Sequence, residues 1–227
     1  MKKFILCIFT FCLFITMAFV IGIHYNRNNY REFFKATSHR CFVLLGDSIL
    51  QNDYYVSDKK SVEELLLERT NGRTKCFAMD DATISDVYSQ VNNISNEQNN
   101  EETTFFLSIG GNNILSTFVE NKKNKNDKNG LASIFNEYKE LVDYIKEIFP
   151  YPKLVLFDLY YPPNLKYQQY YPIIKEWNNL LYDYVKEYSY HSFKISRVLT
   201  QEEDFTSDIE PSAIGSEKIV DAILKVY

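Results

Sequence analysis

Histidine is nearly absent from this chain: 227 residues hold three, His24, His39 and His191. His24 abuts an apolar N-terminal segment, while His39 and His191 each precede a predicted strand. None lies at a strand's carboxyl end, where α/β sites form, so no histidine is placed to act as a base. Cysteine is almost as sparse, with four. Cys7 and Cys12 fall in the apolar segment and Cys41 and Cys76 at the starts of predicted strands. They supply neither a disulfide framework nor the spacing of a zinc site, and no metal or cofactor is expected. Positive charge is not in excess. The formal net charge of −5 gives no reason to expect nucleic acid as a partner. Internal repeats are lacking, and nothing marks a second folded domain.

One long uncharged run is present. After Lys2 and Lys3, residues 4–23 are mostly Phe, Ile, Leu and Val, enough to span a bilayer core as a helix. A cleaved signal peptide is the competing reading, but no small-x-small cleavage site follows the run. We therefore expect a membrane anchor over residues 1–25, a juxtamembrane linker over 26–40 and one domain over 41–227. The positive-inside comparison is nearly balanced, since Arg27, Arg31 and Lys35 oppose Lys2 and Lys3. Our preferred orientation exports the domain.

Within 41–227, strand-like runs alternate with amphipathic helical ones. The strands are expected at Cys41–Leu45, Lys75–Met79, Thr104–Ile109, Lys153–Leu159 and Phe193–Ile195. Helices are expected at Ser61–Thr70, where Ser61 and Glu64 form a capping box, and at Thr83–Ile94, Leu131–Phe149, Ile173–Tyr188 and Ser212–Val226. The charged, low-complexity stretch Glu120–Gly130 reads as a solvated loop. Such alternation predicts a three-layer, flavodoxin-like α/β domain around a parallel five-stranded sheet, preceded by an N-terminal transmembrane helix.

Three segments each follow a predicted strand or open a helix with chemistry-bearing residues. In CFVLLGDSIL, an apolar run ends at Gly46, which frees the chain to turn and present the hydroxyl of Ser48 to a cleft. Gly110-Gly111-Asn112-Asn113 places amide donors on a turn directly after the third strand. Asp208-Ile209-Glu210-Pro211-Ser212 precedes the final helix. The words Gly46-Asp47-Ser48-Ile49-Leu50 resemble the first motif of the SGNH (GDSL) hydrolases, a family of serine esterases and acyl hydrolases. Asp81-Ala82-Thr83-Ile84-Ser85-Asp86-Val87 resembles its second block, Gly110–Asn113 its Gly-x-Asn-Asp word, and Asp208–Ser212 with Gly215 its last motif. The resemblance spans essentially Cys41 to Tyr227. It implies that Ser48 is the nucleophile and that the Ser48 and Asp81 backbone N–H groups and the Asn112 side chain form the oxyanion hole. Gly46, Asp47, Gly110, Gly111 and Asn113 would shape the site.

The departures from that pattern matter equally. Glu210 stands where the family has its catalytic His, Asp81 where it has an oxyanion-hole Gly, and Ser207 where it has the Asp that orients the His. Asp208 is one residue removed from that last position. Glu210 is then the one candidate base, an intrinsically weaker one than His unless burial and a neighbouring carboxylate, Asp208 or Asp81, raise its pKa. An inward carboxylate at Asp81 would also repel an oxyanion.

The resemblance, taken with the apolar run over residues 4–23, implies a membrane-anchored serine ester hydrolase acting on a small-molecule ester, a lipid or an acylated glycan. The alternative is a catalytically impaired binding module for glycans or lipids that keeps the cleft. Tyr160, Tyr161, Tyr167, Tyr170 and Tyr171 follow the fourth strand. They either line the cleft, stacking on a sugar or forming an acyl groove, or pack a long loop onto the body. Trp177 is expected in the core.

Overall fold

A computed structural model describes residues 40–120, 128–149 and 153–227. The predicted membrane segment, residues 26–39 of the linker, and with them His24 and His39, lie outside the described residues. Among the described residues no helix is long and apolar enough to cross a membrane.

Five parallel strands form the centre: β1 (Cys41–Gly46), β2 (Thr74–Cys76), β3 (Thr103–Ser108), β4 (Lys153–Phe157) and β5 (His191–Phe193), in the order β2-β1-β3-β4-β5. This is the flavodoxin-like order, whose topological switch point lies between β1 and β3. The two central strands run in register from Cys41 opposite Thr103 to Gly46 opposite Ser108. Their carboxyl ends therefore deliver Ser48 and Gly110–Asn113 to one crevice.

Alternation along each strand splits the core in two. Val43, Leu45, Phe105, Leu107, Leu154 and Leu156 share one apolar cluster with residues of α2 (Ile84–Asn92), α4 (Lys128–Ile148) and α6 (Tyr171–Tyr188). Phe42, Leu44, Phe106, Val155 and Phe157 join the other, with α1 (Val62–Arg69) and α7 (Ala213–Val226). Helix α1 begins at the expected capping box, with the Glu64 N–H donating to Ser61 Oγ at 3.2 Å.

The expected boundaries need several corrections. Strand β2 ends at Cys76, because the Phe77 and Ala78 N–H groups both donate to Leu44 O and break the regular ladder. Strand β5 comes two residues early, at His191–Phe193, and Ile195–Arg197 forms a 3₁₀ turn. Gly130, expected in a loop, lies inside α4; residues 121–127 of that stretch are outside the described ones. Not anticipated were, among others, the one-turn α3 (Gly111–Ile114) running into a π-helix at Leu115–Glu120, the short α5 (Leu165–Gln168), and a hairpin of β6 (Phe205–Thr206) with β7 (Glu210–Pro211). Cys41 and Cys76 are not joined in a disulfide. Cys76 pairs with Leu44, not with Cys41, an offset of about 10 Å along the strand that forbids a bridge.

Candidate active site

The turn that carries Ser48 is built on a glycine that no other residue could replace. Gly46 has φ 123°, and a Cβ there would stand 1.7 Å from Ser108 O. The buried Gln90 side chain holds this backbone like a neighbouring strand: Gly46 N–H donates to Gln90 Oε1 at 2.8 Å, and Gln90 Nε2 donates to Gly46 O at 2.9 Å. Asp47 N–H donates to Ser108 O, and the Leu50 and Gln51 N–H groups return to Asp47 O. Ser48 sits at the head of this single helical turn, nearly buried. No hydrogen bond among the described residues takes up its N–H.

Asp47 turns inward. Its Oδ1 accepts from Ile49 N–H at 3.3 Å and Ser108 Oγ at 3.1 Å. Burial lifts its pKa to about 7 against those two hydrogen bonds, with a smaller push from the Glu210 charge.

Glu210 reaches the same crevice from β7. Its side chain is buried, at 8 % exposure. Burial raises its pKa from 4.5 to about 7, the Ser48 hydroxyl opposes the rise by hydrogen bonding, and the charges of Asp80 and Asp81 add to it. Ser48 is the one hydrogen-bonding influence among these. Glu210 Oε2 is buried without a hydrogen-bond partner among the described residues. A pair that is open at rest and tightens around substrate is common in catalytic sites.

Sequence reasoning missed what holds Glu210 there. Asn52 is fully buried; its Nδ2 donates to Pro211 O (2.9 Å) and Ser216 Oγ (2.8 Å), and its Oδ1 accepts from Val62 N–H (2.9 Å). The Tyr160 hydroxyl donates to Ile209 O at 2.6 Å. From below, Ser212 N–H donates to Asp204 O, and the buried Asp204 carboxylate accepts from Thr200 and Gln201 N–H and pairs with Lys218. Asn52 and Tyr160 bind partners distant in the chain, which leave no local sequence signal, so neither was identifiable beforehand.

Two expected site residues are placed differently. Asp208 does not support Glu210. Its carboxylate faces solvent, where Asn164 Nδ2 (2.7 Å) and Lys166 bind it and hold its pKa low, Lys166 foremost. Ser207 and Asp208 both adopt left-handed backbone (φ 46° and 73°) in the tight β6–β7 turn, which swings the Asp208 side chain away. The carboxylates whose charge reaches Glu210 are Asp80 and Asp81, the first of them unanticipated.

Asp81 also has positive φ, 57°, a conformation that Asp tolerates better than most residues. Its N–H is not open to an oxyanion in this structure, because it donates to Asp80 Oδ1 at 3.0 Å. Asp80 is itself fixed, accepting from the Tyr55 hydroxyl at 2.9 and 3.0 Å and donating its N–H to Gln51 Oε1 at 3.0 Å.

The Gly110–Asn113 turn stands just after β3. Gly110 (φ 107°) lies against the Trp177 ring, which a Cβ would meet at 2.5 Å. Asn112 Nδ2 donates to Ala82 O at 2.9 Å, which uses one of its two amide hydrogens and leaves the other. Asn113 Oδ1 accepts from Ile84 N–H at 3.0 Å and ties the turn to the start of α2. His191 begins β5 at the opposite edge of the sheet, exposed. Among the described residues no cluster of His, Cys, Asp and Glu could hold a metal ion.

No family model and no curated protein matches this sequence. Solved structures do. A member of the lipolytic G-D-S-L family from Veillonella parvula superposes with TM-score 0.64 at 14 % identity, over 82 % of this chain and 97 % of that one. The chain has the GDSL-hydrolase fold. An esterase from Pseudoalteromonas sp., solved with monoethylphosphonate as inhibitor, matches with TM-score 0.60 at 13 % identity, covering 82 % and 95 %. A family 3 carbohydrate esterase from Clostridium thermocellum matches with TM-score 0.57 at 20 % identity, covering 82 % and 94 %. The GDSL-type fold accounts for the order of the segments: they meet because each follows a strand at the switch point or, for Glu210, the hairpin that α7 anchors.

Proposed function

We propose that this chain is a serine ester hydrolase in which Ser48 attacks the ester carbonyl and Glu210 is the base. The observation that carries this reading is the Ser48 hydroxyl beside a buried carboxyl whose pKa has been lifted to about 7. A free Glu is about two pKa units weaker than His as a base, and the burial of Glu210 removes that handicap. Glu210 takes the Ser48 proton as the Oγ–carbon bond forms. The oxyanion is met by the Ser48 N–H and the remaining Asn112 amide hydrogen. Glu210 then returns the proton to the departing alcohol, and in the second step draws a proton from the water that releases the acid. The structural neighbours, among them a lipolytic protein, an esterase and a carbohydrate esterase, support ester cleavage. Asp80 must release the Asp81 N–H before that group can contribute.

This capping of Asp81 favours one second reading, a binding module that has lost turnover. A fluorophosphonate probe separates the two. We expect labelling of the full chain that disappears in Ser48→Ala. Absence of labelling from pH 5 to 9 would refute the hydrolase. In our reading the domain is exported and tethered through residues 4–23, which makes lipids and surface glycans accessible substrates.

A further inference from the structure

An apolar pocket of about 70 Å³ opens next to the site. It begins at Gly111, beside the oxyanion turn, and at Ile209, the neighbour of Glu210. Ile174, buried in the core on α6, forms its inner wall, and Tyr167 and Tyr170, half-buried, form its outer one. No charged side chain lines it. The Tyr160 hydroxyl on its rim already donates to Ile209 O. A sugar would bring hydroxyls with few partners to meet them, which is unfavourable. An alkyl chain suits such a wall.

We infer that this pocket receives the acyl chain of the ester and restricts the enzyme to short acyl groups, with Ile174 setting the depth. The inference rests on the ester-hydrolase reading above. The acyl part occupies the site through both chemical steps, bonded to Ser48 between them, whereas the alcohol leaves after the first. A fixed place for the acyl group therefore serves the whole reaction. The size follows from comparison: an apolar cavity of about 150 Å³ takes the six carbons of benzene, so this one takes about three, which means acetyl to butyryl chains.

The test has two arms on the full chain. In the first, nitrophenyl esters from acetate to decanoate are compared. We expect kcat/KM to peak between acetate and butyrate and to fall by about tenfold or more at decanoate. Ile174→Ala should move the optimum to longer chains. Tyr167→Ala, at the half-exposed outer wall, should flatten the preference and covers the case in which the core variant folds poorly. The second arm needs no turnover. Trp177 is the sole tryptophan and packs on Gly110, so its fluorescence reports binding of neutral straight-chain amides from acetamide to octanamide. Affinity should peak at short chains and shift with Ile174→Ala. Fluorophosphonate labelling of Ser48 with a chain-length profile that is flat, rises toward decanoate or ignores both variants overturns the pocket. Chain-selective amide binding without Ser48 labelling supports the pocket and overturns the hydrolase, and neither signal overturns both.

Discussion

Glu210 is held protonated more strongly in the folded chain than in the unfolded one, and this sets two opposite pH dependences. As a base it must be ionised, so ester turnover should rise as pH passes through about 7 and level off above it. Stability runs the other way. Because the folded pKa lies above the unfolded value of 4.5, the folded state binds the extra proton between 4.5 and 7, and that stabilisation is lost as pH rises through 7. Glu210→Gln should therefore lose roughly 10²–10⁴ in kcat. It should also melt higher than the parent at pH 8, with a gain on the order of 2–3 kcal/mol that shrinks toward pH 5. Thermal melts at the two pH values and a pH–rate profile check both. Unchanged turnover in this variant removes Glu210 from the mechanism.

Asp80 acts on the same residue through space. Its charge is one of two that raise the Glu210 pKa, and its carboxylate caps the Asp81 N–H. Asp80→Asn should shift the rising limb of the pH–rate profile to lower pH, a displacement that mere loosening of the loop does not produce.

At the level of elements, the last motif is positioned by Asn52 together with Tyr160 and Asp204. Asn52→Ala leaves Val62 N–H and Pro211 O buried without their partner, at about 1–3 kcal/mol for each unsatisfied group. We expect a fall in stability of about 3 kcal/mol and a drop in kcat larger than any change in KM, measured by urea unfolding and by steady-state rates. Asn52→Asp restores the acceptor but not the donor, so it should rescue only part. This residue marks how far the sequence was legible. The blocks at strand ends could be read because each is short and contiguous: an apolar run, a glycine, a hydroxyl or an amide. Gln90, Asn52 and Tyr160 could not, because their partners lie 44, 159 and 49 residues away. Asp208 was misjudged for a related reason. Spacing along the chain put it near Glu210, but the left-handed backbone of the hairpin turn aims it at Lys166.

At the scale of the whole molecule, the described residues of both apolar clusters lie within 41–227. Every residue assigned to the chemistry lies there too. If residues 4–23 form the tether, with a length of about 30 Å as a helix, anchoring and catalysis are separable. A chain beginning at Asn28 should remain soluble and hydrolyse a water-soluble nitrophenyl ester within about twofold of the full chain, since the site lies outside the deleted segment. The full chain should sediment with membranes and stay there through an alkaline carbonate wash, whereas a peripheral protein is released. Release by carbonate, or a mature N-terminus beginning after residue 23, would replace the anchor with a cleaved signal and leave the active-site argument intact. Loss of turnover in the shortened chain with normal melting would instead mean that the N-terminal segment contributes to the site. Measuring both fractions and both rates on the same preparations separates these outcomes.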